Sequence, residues 1–153
     1  GDFEGLLQRL DAVPPSLAIA QSIEESGWGT SRFAQDGNAV FGQRTFTVGA
    51  GLVPLDRDDG KRHEVRVFDH LQQSVATYLA NLNRHPVYAD FRAARAAMRA
   101  AGKPFDGYAL AGTLSRYSER GAAYIDAIRL LMRLNELHTL DDAQLRGAPE
   151  DAG

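Results

Sequence analysis

The stretch "IEESGWGTSRF", residues 23 to 33, carries the residue types best suited to acid chemistry in this 153-residue chain. Glu24 and Glu25 stand side by side, followed by Ser26, Gly27, the single tryptophan Trp28, and Gly29. A carboxyl group in the last turn of a helix faces the partial negative charge of unpaired backbone carbonyls, which favours its protonated form. An aromatic ring that excludes water would push the same way, and such a carboxyl can serve as a general acid near neutral pH. The plainer reading is a solvated pair of glutamates before a glycine-capped helix end. Helical angles do not separate Glu24 from Glu25, since each lies near part of a broad apolar arc.

The elements that must position these acids follow from periodicity. Phe3, Leu6, Leu7 and Leu10 recur at three- and four-residue intervals, so "DFEGLLQRLDAV" is expected to form an amphipathic helix stopped by Pro14-Pro15. A second helix is expected from Pro15 or Ser16 to Gly27, with proline in its first turn and glycine ending it. A helical turn at "TSRFAQ" and a loop at "DGNAVFGQ" follow. Between Arg44 and Phe68, β-branched and aromatic residues around "DRDDGK" predict a small β-hairpin lobe. Helices resume with "QQSVATYLANLN", "VYADFRAARAAMRAAG", "FDGYALAGTLS" and a long one at "ERGAAYIDAIRLLMRLNEL" capped by Ser118. The expectation is a mainly α (α+β) domain over residues 1–138, with a flexible tail over 139–153 where apolar residues are sparse.

Composition excludes several function classes. The 17 basic and 20 acidic residues give a net charge of −3, which leaves no global field for nucleic acid. No apolar run approaches the ~20 residues of a membrane span, so no stable membrane insertion is expected. Zero cysteines remove thiolate and disulfide chemistry and leave the compartment open. The chain starts at Gly1, not Met, and reads as trimmed, so a missing leader says nothing about targeting. His63, His70, His85 and His138 lack metal-ligand spacing, and aligning Asp56 with a calcium loop puts Gly60 and Val67 at the wrong positions. Neither a metal nor an organic cofactor is expected. Arg92, Arg95, Arg99 and Lys103 read as one basic, solvated helical face.

"AQSIEESGWGTSRFAQDGNAVFG" resembles the signature of the family 73 glucosaminidases: an alanine- and glutamine-rich helix, Glu-Ser-Gly-Trp-Gly, then an asparagine shortly before Phe-Gly. "HEVRVFDHLQQSVATYLANLNRHPVYADFRAAR" and "LSRYSERGAAYIDAIRLLM" are similar to the Bax-type bacterial branch of that family, so the likeness runs in order over roughly residues 15 to 135. It implies a lysozyme-like helical fold with a small β-lobe, and hydrolysis of the β-1,4 bond after N-acetylglucosamine in peptidoglycan. Of the two acids it singles out Glu25 as the general acid. It further implies that Tyr117 is a cleft tyrosine, that Tyr124 closes the same pattern, and that Trp28, Asn38, Phe41 and Gly42 border the sugar.

The family's acid in a Thr-x-Glu-Tyr pattern has no counterpart here. Glu64, Asp56, Asp58 and Asp59 are the local candidates for a second carboxylate, with Glu64 foremost as base or stabiliser. Without one, the substrate's acetamido group could act as nucleophile. The expected partner is a peptidoglycan glycan strand bound by a monomer, and the expected location, following from that substrate, is the bacterial periplasm or cell envelope.

Overall fold

The structure is a computed structural model that describes residues 2–45, 47, 49–54 and 64–143. Seven α-helices are assigned among them: α1 Phe3–Gln8, α2 Pro15–Ser26, α3 Arg32–Gly37, α4 Leu71–Arg84, α5 Ala89–Ala100, α6 Gly107–Ala111 and α7 Ala122–Leu134. Short 3₁₀ turns lie at Pro86–Tyr88 and Leu137–Leu140. Three short strands, β1 Arg44–Thr45, β2 Gly51–Leu52 and β3 Glu64–Arg66, form the lobe between α3 and α4. The architecture is mainly α with a small antiparallel sheet, as the periodicity implies.

Helix α2 is the axis of the core. Leu17, Ala20 and Gln21 are fully buried, and α6, α7 and the turn at Leu137–Leu140 pack around it. Leu82, Phe91, Leu110, Leu114 and Ile128 complete the interior. The first turn of α2 leaves backbone donors without helical partners. Asp141 supplies one acceptor from the far end of the chain, taking the Ser16 N–H on Oδ1 at 2.8 Å and the Ser16 hydroxyl on Oδ2 at 2.7 Å. Thr139 to Asp141, expected to fray, are held in place by this contact and by Leu140 packing on the core. Residues 144–153 of the expected tail lie outside the described residues.

Three expectations are corrected by packing. The lobe is not a two-stranded hairpin: β3 is central, with β1 and β2 on its two edges, pairing Arg44 with Val65 and Leu52 with Val65. Gly51 permits this approach, because a Cβ there would lie 2.3 Å from the Val65 carbonyl oxygen. The long helix α7 begins after Gly121, at φ 54°, and not at Ser118. The leucine stripe of α1 is helical, yet Phe3, Leu6, Leu7 and Leu10 are all exposed, and α1 stops at Gln8, well before the prolines.

What ends α1 is Arg95, which also corrects the expected basic face. Arg95 is fully buried and Arg92 nearly so, while Arg99 stays outside and pairs with Asp11. Arg95 Nη1 donates to the carbonyls of Asp11 (3.0 Å) and Ala12 (2.8 Å), and Nη2 to the Gln8 carbonyl and Asn83 Oδ1, both at 2.6 Å. Arg92 Nη1 takes the carbonyls of Leu82 (3.0 Å) and His85 (2.9 Å) at the end of α4. Both guanidinium groups therefore satisfy carbonyls at helix ends from inside the protein, a job whose fork of donors suits arginine. Replacing Arg95 by Met would take the donors from four part-buried acceptors, and urea denaturation is expected to show a loss of about 2 kcal/mol. A loss below about 1 kcal/mol would mean that water reaches these carbonyls without it.

Candidate active site

Helix α2 delivers Glu25 in its last turn and then ends abruptly. Gly27, Trp28 and Gly29 all adopt positive φ, at 57°, 60° and 72°. The N–H groups of Gly27 and Trp28 both return to the Ile23 carbonyl, and the Gly29 N–H donates to Ser26 Oγ at 2.8 Å. Ser26 Oγ itself donates to the Ser22 carbonyl at 2.5 Å. Two glycines carry the left-handed turn at little cost, whereas a tryptophan in that region stores strain, which is unusual enough to mark a functional segment.

The Glu25 carboxylate is enclosed. Gly42, at φ 62°, lies so close that a Cβ there would stand 2.7 Å from Glu25 Oε2. Only glycine allows the backbone to approach the acid this closely. Burial raises the Glu25 pKa above the ordinary carboxylate value, and the neighbouring charge of Glu24 adds to the rise. A hydrogen bond from Tyr124 and the charges of Arg120 and Arg44 work in the opposite direction. Glu24 is itself tied to Arg120 in an ion pair, so the two adjacent acids have different surroundings: Glu24 is paired at the surface and Glu25 is desolvated.

Aromatic side chains line the inner wall. Tyr117 and Tyr124 lie parallel with ring centroids 5.6 Å apart, and the Tyr117 hydroxyl donates to the Phe41 carbonyl at 3.2 Å. Burial pushes the Tyr117 and Tyr124 phenols well up, so both stay protonated donors. Tyr124 is fully buried, which removes it from direct contact with a sugar and turns it instead toward Glu25 and Gln21. Gln21 Nε2 donates to the Tyr124 hydroxyl oxygen at 3.0 Å, and the Tyr78 hydroxyl donates to Gln21 Oε1 at 2.7 Å.

The residues singled out in the sequence therefore divide. Glu25, Gly42, Tyr117 and Tyr124 converge on one place. Trp28 is 63% exposed and does not shield Glu25. It lines an apolar groove of about 460 Å³ with Ile19, Ile23, Val40 and Val75 on the adjoining flank of α2, a groove that does not include Glu25. Phe41 is a core residue, its ring stacked on Tyr78 at 4.0 Å. Asn38, in a left-handed conformation at φ 50°, ends α3 and spends its amide on the Phe68 carbonyl at 2.9 Å.

Glu64 is buried, and its carboxylate accepts the N–H groups of Gly49 (3.1 Å) and Gly51 (2.9 Å). Those bonds brace the turn between β1 and β2 and commit the carboxylate to that backbone. Asp56, Asp58, Asp59 and His63 lie outside the described residues. Among the described residues no cluster of three His, Cys, Asp or Glu side chains forms that could hold a metal ion. Gln21 and Tyr78 went unnoticed in the sequence. The available signal was Gln21 lying four residues before Glu25, one turn away on the same helix face.

Comparison with known proteins adds to this geometry. Residues 3–133 match the Glucosaminidase family, described as mannosyl-glycoprotein endo-beta-N-acetylglucosaminidase. The chain is 35% identical over 119 residues to protein bax of Escherichia coli (strain K12), an alignment covering 78% of this chain and 42% of that protein. The chain thus spans about two fifths of the length of the curated relative it matches. No solved structure matches.

The raised pKa of Glu25 sets a sign for stability against pH. A folded-state pKa above the unfolded value means that the protonated acid favours folding. That contribution is complete below the ordinary glutamate value of 4.5 and is lost as pH rises through the folded pKa. Glu25→Gln, which cannot ionise, is expected to be more stable than wild type at pH 7 and no more stable below pH 4. Chemical denaturation at the two pH values measures this, and equal stability at pH 7 would show that the acid is solvated.

Proposed function

The chain belongs to the glucosaminidase family of glycoside hydrolases, and on that premise we propose that it hydrolyses the β-1,4 bond after N-acetylglucosamine in peptidoglycan, with Glu25 as general acid. The observation that carries this reading is the enclosure of one carboxyl, Glu25, against the bare backbone of Gly42 with its pKa raised by burial. A carboxyl kept protonated can hand its proton to the glycosidic oxygen as the C1–O bond breaks.

Something must then stabilise C1. Among the described residues the one carboxylate whose charge acts on Glu25 is Glu24, and Arg120 holds it in an ion pair. With Glu64 spent on the β-lobe turn, we assign the nucleophile to the substrate. The carbonyl oxygen of its 2-acetamido group attacks C1 as the leaving sugar departs, forming an oxazolinium ring, and water then opens that ring while the Glu25 carboxylate accepts the water proton. Proton and electron pairs balance, and no metal or redox partner enters. Tyr117, beside the cleft and held by the Phe41 carbonyl, is placed to support the acetamido group. The protein would act as a monomer on glycan strands in the periplasm or cell envelope.

Two measurements test this reading. Purified sacculi incubated with wild type are expected to yield reducing N-acetylglucosamine ends by mass spectrometry, and Glu25→Gln none. Anhydro ends would identify a lytic transglycosylase instead, and binding without release by both proteins would make the domain a glycan-binding scaffold. De-N-acetylated strands are expected to resist cleavage by at least about 100-fold, while Asp56→Asn, Asp58→Asn and Asp59→Asn each keep activity within about threefold. Activity abolished by one of those three substitutions would put a second carboxylate there and remove the acetamido group from that role.

A further inference from the structure

A buried glutamine in an apolar core is costly unless every polar atom is satisfied, and Gln21 is fully buried at the centre of α2. Its two hydrogen bonds run in one direction. The Tyr78 hydroxyl donates to Oε1 at 2.7 Å, which fixes the amide so that Nε2 points at Tyr124, where it donates at 3.0 Å. Tyr78 is as deeply buried as Gln21, and its ring is clamped by the stacked Phe41 at 4.0 Å. The Tyr124 oxygen therefore already accepts a hydrogen bond, and its own O–H is left to point the other way. Glu25 follows Gln21 by four residues on the same face of α2, so its carboxyl is the acceptor that the helix brings toward this hydroxyl.

We propose that Gln21 and Tyr78 are positioning residues that lock the Tyr124 hydroxyl as a one-way donor to Glu25. The inference rests on Glu25 being the general acid, and it adds a consequence for that role. An oxygen that receives a proton from Tyr124 cannot direct its own proton back at the same group. Acceptance of that bond lowers the basicity of the oxygen concerned, so the transferable proton favours the other carboxyl oxygen. The same donor stabilises the carboxylate formed once the proton has left. A neutral apolar packing of the three side chains would fill the volume equally well and do neither.

Several other groups act on Glu25 and must be held constant: Glu24 on α2 itself, Arg44 from β1, Arg120 and Tyr117 from the segment before α7, and Tyr88 from the 3₁₀ turn. None of them hydrogen-bonds Gln21 or Tyr78 among the described residues, and the edge contact of the Tyr78 ring with Tyr117, centroids 6.5 Å apart, is kept in Tyr78→Phe.

The test is a double-mutant cycle read by NMR titration of ¹³C-carboxyl-labelled glutamates, which needs no substrate and so survives failure of the assigned activity. Tyr124→Phe is expected to raise the Glu25 midpoint by about one pH unit, the size of a lost hydrogen bond to a charged group. Tyr78→Phe and Gln21→Met are each expected to raise it by about half a unit or more, and neither to move it further when combined with Tyr124→Phe. On a cleavable glycan, the same two variants should lower kcat about tenfold with KM within about twofold. Tyr78→Phe removes a single hydroxyl, so it carries the test should Gln21→Met fail to fold. An unmoved Glu25 midpoint in the folded single variants, or shifts that add to that of Tyr124→Phe, would reduce the chain of bonds to core packing and overturn the proposal.

Discussion

The desolvation of one carboxyl group is the constraint from which the rest of the site follows. Glu25 sits at the mouth of a helix end, and burial raises its pKa against the pull of Tyr124, Arg120 and Arg44. Burying an acid disfavours its charged form, so the protein accepts a local instability in exchange for a carboxyl that holds its proton more tightly than an exposed one. The neighbouring backbone serves that condition. Gly42 brings backbone to within a van der Waals contact and admits no side chain. Tyr124 offers a donor that works against the rise.

The supports behind this wall are polar and deliberate. Gln21 and Tyr78 spend buried hydrogen bonds inside a core that Leu17, Leu110 and Ile128 could have filled with carbon alone. Farther out, Arg95 and Arg92 work in the same way on the backbone, tying the ends of α1 and α4 through carbonyls that would otherwise be orphaned. Glu64 does this for the β-lobe by gathering Gly49 and Gly51. Charged and amide side chains thus organise the irregular segments that periodic backbone bonding leaves open, and the rigidity of the site depends on them.

Much of the fold was readable before any coordinates. The helix carrying the acids, its proline start and its glycine stop, the β-rich insertion and the succession of later helices all follow from local propensity and spacing, which act over a few residues. The reading failed where the outcome depended on distant partners. A leucine stripe shows that α1 is helical but not whether anything covers it, and Phe3, Leu6, Leu7 and Leu10 remain exposed. A run of arginines along one face looks solvated until the carbonyls of residues 8 to 12 are folded over it. A motif likewise does not show that the Asn38 amide bonds the Phe68 carbonyl or that the Phe41 ring stacks on Tyr78.

The same division applies to the site. By itself the sequence determined that an acid would stand in the last turn of a helix ended by Gly27, since helix dipole, glycine and spacing are all local. It also determined the family, through an ordered likeness over most of the chain. Tertiary structure alone decided which of two adjacent glutamates finds a cation, because Arg120, 96 positions from Glu24, pairs with that one and leaves Glu25 half-buried beside Gly42. It decided as well that Glu64 braces a turn and that Tyr124 faces the acid. Desolvation and hydrogen-bond direction are properties of what surrounds a side chain, and those surroundings arrive from residues far along the chain.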